Sequence, residues 1–467
     1  MEYGIMSLVP TIVAVGMALI TQNVYASLLL GLFLGNVIIS GYHIFAGVDG
    51  TINSITGVFA SGGNVTTMLA ITLLGGMIYM IQTAGGVNGF VELLTTRTTL
   101  VKSKKSANLF TWLIGIIVFV SASMSSLIAG SITKPLNDKY LTSHEKQAYI
   151  VHSVGVPVCV LIPLSSWGAY MISVLEGAGV ENAAGVLVRS IPCSIYVLLA
   201  VFTVPVMILT GFDFGPIKKA ELRAAQQGLL DAPGKGVKAE SGDAITDKVS
   251  SVTILGVPVL LMIAVTVWGM YTTGDGNILN GAGMKSFLWG VLAGIAAGFI
   301  MITGKKILTP KEVSAALYKG WINMIPIVII LTFALGVGDI VATLGTGEYL
   351  AHVFSGLLNP ALLPMIVFVI SMIIAFSTGS SWGTMAVIIP LSMPIAFAMD
   401  VNIALLAGAI WSGGIFGDQC SPISDSTIVS CAATGCDVID HIRSQLPYTL
   451  TMAAISAAAF ILLGFVM

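Results

Sequence analysis

Apolar stretches follow one another along the whole chain with little that is polar between them. They fall near residues 7–22, 25–40, 65–85, 107–133, 148–175 and 187–211, and again near 252–272, 285–303, 321–343, 361–398, 402–432 and 447–466. About 20 apolar residues make a helix that crosses the hydrocarbon of a bilayer. The apolar residues run on continuously and do not alternate, which argues against a β-barrel. The pattern predicts an all-α polytopic membrane protein. One long polar segment, Gly211 to Ser251, is rich in Lys, Glu, Asp, Gly and Ala and reads as a linker. The predicted organisation is a first unit over 1–211, a linker over 212–251 and a second unit over 252–467.

The two units look related. Residues 27–35 parallel 286–294, Thr72 and Gly76 parallel Thr332 and Gly336, Phe119–Ser123 parallels Phe376–Ser380, and Pro163–Ser166 parallels Pro422–Asp425. The offsets stay between 257 and 260 residues and the order is kept, which points to a duplication. The Gly31/Gly35 and Gly290/Gly294 pairs within it read as close helix packing.

Loop charge adds an orientation. Arg97, Lys102, Lys104 and Lys105 precede the 107–133 run, and Lys134, Lys139 and Lys146 follow it. Both ends of that run then face the cytoplasm, so it must turn back near Ser121–Ser126. The partner run, 361–398, has no Lys or Arg at either end and turns at 377–384. The basic linker is cytoplasmic, and both chain termini are external. Each unit then holds about five transmembrane helices plus a re-entrant or broken helical hairpin, and the two units are inverted repeats. Many secondary transporters have this layout, with their site at the midplane between the repeats.

Composition agrees with a membrane protein. The chain is 56% hydrophobic and 9% charged, with mean hydropathy +0.96, where soluble domains carry about 25% charged residues. A net charge of −2 supports no nucleic-acid partner. The five cysteines are scattered without a C-x-x-C pair and read as small buried hydrophobes. The start, Met1-Glu2-Tyr3-Gly4, lacks the basic residues of a cleaved signal, so the first apolar run is expected to stay as a helix.

The chemistry concentrates in Gly417–Thr427, where Asp418 and Asp425 sit among hydroxyls and Pro422 inside an apolar run. Ionisable groups at membrane depth are expensive and mark ion or proton paths. A proline there suggests an interrupted helix, whose freed carbonyls and side-chain oxygens suit a hard cation such as Na⁺. Burial favours a protonated carboxylate and a nearby cation favours an ionised one, so such acids bind H⁺ and Na⁺ in competition. The candidate ion ligands are Asp418, Asp425, Ser424, Ser426, Thr427 and Asp339, with Asp418 and Asp425 on the Na⁺ itself. The candidate substrate contacts are Ser123, Ser125, Ser165, Ser166, Trp167, Thr378, Ser380, Ser381 and Gln419. They come from the two hairpin tips, which are expected to face each other, and from the mirrored Pro163–Trp167 segment. His152, at the start of a crossing, is a weaker candidate.

Over Ser412–Thr427 the chain resembles the NhaC-type sodium/proton antiporters, and the likeness extends over nearly the whole sequence. The Ser377–Thr384 tip is similar to that family's as well. The resemblance implies cation-coupled secondary transport in a bacterial-type inner membrane. It places Asp418, Ser424 and Asp425 on the family's ion-coupling motif. Relatives include exchangers of organic acids and others thought to move amino acids.

The expected function is antiport of Na⁺ and/or H⁺, with a small carboxylate or amino acid as a further solute. The alternative is Na⁺-coupled solute symport. No cofactor is expected beyond Na⁺ and H⁺ as coupling ions; membrane lipid surrounds the protein, and a homodimer is compatible with the layout. An intramembrane aspartyl protease is the rival class, because Gly336-Val337-Gly338-Asp339 and Pro360-Ala361-Leu362 match its G-x-G-D and P-A-L motifs. The missing Tyr-Asp motif and the unexplained duplication count against it, and the chain is not expected to be an enzyme.

Overall fold

The computed structural model describes residues 3–21, 23–89, 101–117, 119, 122–163, 165–232, 249–276, 281–346, 349 and 359–467. Among these, every regular element is a helix, and eight helices are long and apolar enough to cross a membrane. The chain is a multi-pass membrane protein.

The first unit opens with α1 (Val9–Thr21), α2 (Val24–Ile39), α3 (Ile44–Ala60) and α4 (Gly62–Thr83). A hairpin follows, of α5 (Lys104–Ile117) and α6 (Ala122–Lys139). Next comes a broken helix, α7 (His144–Leu161) and α8 (Ser166–Gly177), bent by 51° at its interruption. Helices α9 (Ala183–Ser190) and α10 (Ile195–Thr210) close the unit.

The second unit has α12 (Thr253–Thr273), α13 (Gly283–Gly304) and the long α14 (Pro310–Thr343). Its hairpin is α15 (Leu363–Thr378) with α16 (Ser381–Ala398), its broken helix α17 (Ile403–Cys420) with α18 (Asp425–Thr434), and it ends in α19 (Val438–Val466). The turn between α15 and α16 needs Gly379, which sits at φ +64°. Both expected hairpins and the expected break at Pro422 are present, but residues 122–126, expected at the first hairpin's turn, are already in the first turns of α6.

Small residues let the helices meet. A Cβ on Gly31 of α2 would lie 2.8 Å from the Pro10 carbonyl oxygen, and one on Gly320 of α14 would lie 2.5 Å from the carbonyl of Gly75 on α4. The expected packing role of Gly31 is thus observed. Helices α4 and α14, one from each unit, pack directly on each other at the centre.

Two helices depart from expectation. Helix α3 was not anticipated: Asp49, Asn53 and Ser54 interrupt its apolar residues, and Phe45 and Ile44 are exposed. The linker is not featureless either, since it folds into α11 (Gly215–Gln227), with Pro216 in its first turn and Gly228 ending it at φ +68°.

Ion pairs fasten α11 and the residues on either side of it to the starts of α5 and α7. Glu221 meets Lys104 at 2.7 Å, Arg223 meets Glu145 at 2.9 Å, Asp213 meets Lys146 at 2.8 Å, and Asp231 meets His144 at 2.8 Å. Burial acts to raise the Glu221 carboxyl, but Lys146 and Lys104 outweigh it and hold the group below the ordinary glutamate value. A depressed carboxylate contributes stability above its unfolded-state pKa and loses it as pH falls through the folded one. Glu221→Gln is therefore expected to cost about 1–3 kcal/mol at neutral pH, read as a lower melting temperature. The difference from the parent should persist in mildly acidic buffer and shrink only as the pH falls below the ordinary glutamate range; an equal gap at every pH would refute the assignment.

Candidate functional site

A cavity of about 690 Å³ opens where the second hairpin, both broken helices, α2, α4 and α14 converge. The α17–α18 break supplies Asp418, Ile423, Asp425 and Ser426, the α15–α16 tip supplies Thr378 to Trp382, and the α7–α8 break supplies Ser166 and Trp167. The first hairpin reaches the cavity through Ala122. Asn23, Tyr25, Tyr79, Gln82 and Asn323 complete the polar wall. Among the described lining residues there is no Lys, Arg or His.

The two acids occupy different surroundings. Asp418, in the last turn of α17, is 6% exposed. Ser424 Oγ donates to its Oδ1 at 2.5 Å and Ser426 Oγ to its Oδ2 at 2.9 Å. The chain after the break thus folds back over the end of α17, and Thr427 Oγ1 donates to the Asp418 carbonyl at 3.4 Å. Asp425, at the start of α18, is exposed to the cavity, and its carboxylate makes no hydrogen bond or ion pair among the described residues.

From Asp418 a polar chain runs into the protein. Ser426 Oγ lies 3.0 Å from His152 Nε2, and His152 Nδ1 lies 2.9 Å from His441 Nε2. Both imidazoles are fully buried. The far nitrogen, His441 Nδ1, is buried without a partner among the described residues. With Ser426 donating to Asp418, one consistent arrangement has His441 donating to His152 and His152 donating to Ser426. Gln419 braces the chain: it accepts from Tyr196 Oη at 2.6 Å and donates to the His152 carbonyl at 3.2 Å, while Gln445 donates to the Gln419 carbonyl.

The structure thus brings together Asp418, Asp425, Ser424, Ser426, Thr427, Ser166, Trp167, Thr378, Ser380 and Ser381. It places the other candidates elsewhere. Asp339 sits on an exposed face of α14 and does not line the cavity, because that helix turns Gly338 and Ile340 inward and Asp339 out. Ser125 Oγ closes its own hairpin by donating to the Gly115 carbonyl at 2.8 Å. Ser165 caps α8, accepting from the Gly168 amide at 3.2 Å and donating to the Cys159 carbonyl at 2.9 Å. Gln419 is buried and fully engaged as described. The side chain of Ser123 lies outside the described residues.

Several lining residues escaped sequence reasoning. Tyr25, Tyr79, Gln82 and Asn323 carry no motif, and His441 lies far along the chain from the residue it contacts. One signal was available: the tetrapeptide Ser-Ser-Trp-Gly occurs at 165–168 and again at 380–383, outside the 257–260 residue register of the duplication. The two tryptophans meet in the cavity wall, with ring centroids 4.1 Å apart.

A family model described as the Na⁺/H⁺ antiporter family matches residues 158–465. The chain belongs to this family. It is therefore a transporter, as the resemblance of Ser412–Thr427 implied. The chain is 30% identical to an uncharacterised protein of Haemophilus influenzae, over 99% of this chain and 91% of that one. It is 31% identical to the malate-2H⁺/Na⁺-lactate antiporter of Bacillus subtilis over 33% of each. Among solved structures, the Alcanivorax borkumensis YdaH transporter superposes with a TM-score of 0.55 at 13% identity, covering 90% of this antiporter and 89% of that chain, a likeness of fold.

Proposed function

We propose that this antiporter exchanges Na⁺ for H⁺ at Asp418 by alternating access between two inverted repeats. The single observation that carries the reading is the buried Asp418 carboxylate, clamped by Ser424 and Ser426 at the edge of the central cavity. An ionised carboxylate there is costly without a cation, and a protonated one is not. Na⁺ would take the Asp418 carboxylate with the oxygens of Ser424 and Ser426, each hydroxyl turning its lone pairs inward as the ion arrives. A proton is the competing occupant. Either one neutralises the site and permits the repeats to rock, while the empty charged site resists the move.

The linker faces the cytoplasm in this reading and both termini face outward, following the Lys and Arg distribution. Purified protein in proteoliposomes, with a fluorescent pH indicator inside, tests it. An imposed Na⁺ gradient should move protons in the opposite direction. Proton movement in the same direction as Na⁺ would favour symport and overturn the antiport reading.

The histidine chain extends the hydrogen-bonded network of Asp418 as far as His441, and in this reading protons, unlike Na⁺, pass along it. His441→Leu is expected to slow Na⁺-driven proton movement by about tenfold or more. The stabilisation that Na⁺ confers on melting should persist, since His441 does not touch Asp418. Wild-type proton flux in this variant would exclude the route.

A further inference from the structure

Resting on the antiport reading, we propose that the same cavity carries a zwitterionic amino acid, with its ammonium on Asp425 and its carboxylate between the N-termini of α8 and α16. The cavity is far larger than one dehydrated cation needs, at about 690 Å³. Its lining has two carboxylates and, among the described residues, no basic side chain. A dicarboxylate would find no countercharge there, and an ammonium finds one in Asp425. That carboxylate faces the cavity without a partner, whereas Asp418 has both oxygens engaged. The Trp167–Trp382 pair forms one wall, and an indole face attracts an ammonium as well.

The carboxylate end follows from the repeated tetrapeptide. Ser165 caps α8 and Ser380 caps α16, each accepting from the glycine amide three residues on, at 3.2 and 3.1 Å. The caps leave the other first-turn amides of both helices without intrahelical partners. Those turns, Ser166-Trp167 and Ser381-Trp382, line the cavity, so two helix N-termini with their positive dipole ends open on it. An independent group points the same way. Gln82 is 6% exposed, lines the cavity, and its amide has no hydrogen-bond partner among the described residues. Its amide opens on the cavity and is free to meet a polar ligand there.

The test measures binding and transport separately. Purified protein in Na⁺ buffer is melted with each of the L-amino acids. For each that stabilises, two analogues follow: the 2-hydroxy acid, which lacks the ammonium, and the amino-acid amide, which lacks the carboxylate. At least one amino acid should raise the melting temperature, with both analogues weaker by about 100-fold or more, because a site built around a polar group rejects a ligand without it. Asp425→Asn should lose the response to that amino acid and Asp425→Glu should retain part of it, each checked for folding by its ligand-free melt.

Uptake of the same radiolabelled amino acid is then followed in the proteoliposomes used for proton movement. Na⁺-driven proton movement with no amino acid binding or moving would overturn this inference and leave the antiport reading standing. Equal binding by the hydroxy acid would overturn it too, in favour of a carboxylate cargo. Amino-acid binding lost in Asp425→Asn, with no Na⁺-driven proton movement under any condition, would support the cargo site and defeat the antiport reading.

Discussion

Asp418→Asn is expected to abolish Na⁺-driven proton movement while leaving a folded protein. Asparagine fills the same volume at the end of α17, and its amide oxygen can still accept from Ser424 or Ser426, whose hydroxyls are free to turn. What it cannot do is ionise. Removing one partner of a buried charge pair costs ~3–5 kcal/mol, so Na⁺ should bind about 10²–10⁴-fold more weakly. The proton has no acceptor in its place, so both halves of the exchange fail together. Two measurements separate this from misfolding: the melting temperature without Na⁺ should stay near that of the parent, and the added stabilisation by Na⁺ should disappear. Persistent Na⁺-driven acidification in the variant would move the coupling site away from Asp418.

Much of this architecture is legible in the residues themselves. Lysines on both sides of 107–133 force that segment to return to the side it left, and α5 and α6 do so. Pro422 among hydroxyls announces the interruption between α17 and α18, because the ring cannot sit in an unbroken apolar helix without freeing backbone groups. Other features are invisible for physical reasons. Asp339 looked like a pathway acid, but an acid on an apolar helix reports depth and not direction, and α14 turns it away from the cavity. Ser125, Ser165 and Gln419 are polar for their own backbone and neighbours, and nothing in the sequence distinguishes a hydroxyl that closes a hairpin from one that meets a ligand. Helix α11 hid inside a composition typical of linkers, because its anchors, Lys104, Glu145 and Lys146, lie far back along the chain. The His152–His441 contact has the same cause: each histidine alone is an ordinary interfacial residue, and only the packing of α7 on α19 joins them.

Gly417→Leu is expected to be the most damaging change outside the charged groups. Gly417 lies one residue before Asp418, where α17 presses on α15. A Cβ at Gly417 would lie 2.5 Å from the Ala375 Cβ and 2.6 Å from the Met372 carbonyl oxygen, and it would also strike the Phe376 amide nitrogen. Two of these three obstacles are backbone, so no rotamer change clears them. Gly413, one turn earlier, presses on the same helix, with a Cβ there 2.6 Å from Ser371 Cβ. The helices must separate, and the hairpin tip at Thr378–Trp382 moves relative to Asp418. Overpacking typically costs ~1–3 kcal/mol, and a clash with backbone belongs at the upper end. Exchange should be lost as well as stability, because the displaced tip carries one wall of the cavity. Gly417→Ala should show the same defects in milder form, and pairing it with Ala375→Gly should recover part of the melting temperature by removing one of the three obstacles. A Gly417→Leu protein that melts and exchanges like the parent would mean that α15 and α17 do not approach this closely in the membrane, and the cavity between hairpin and broken helix would lose its physical basis.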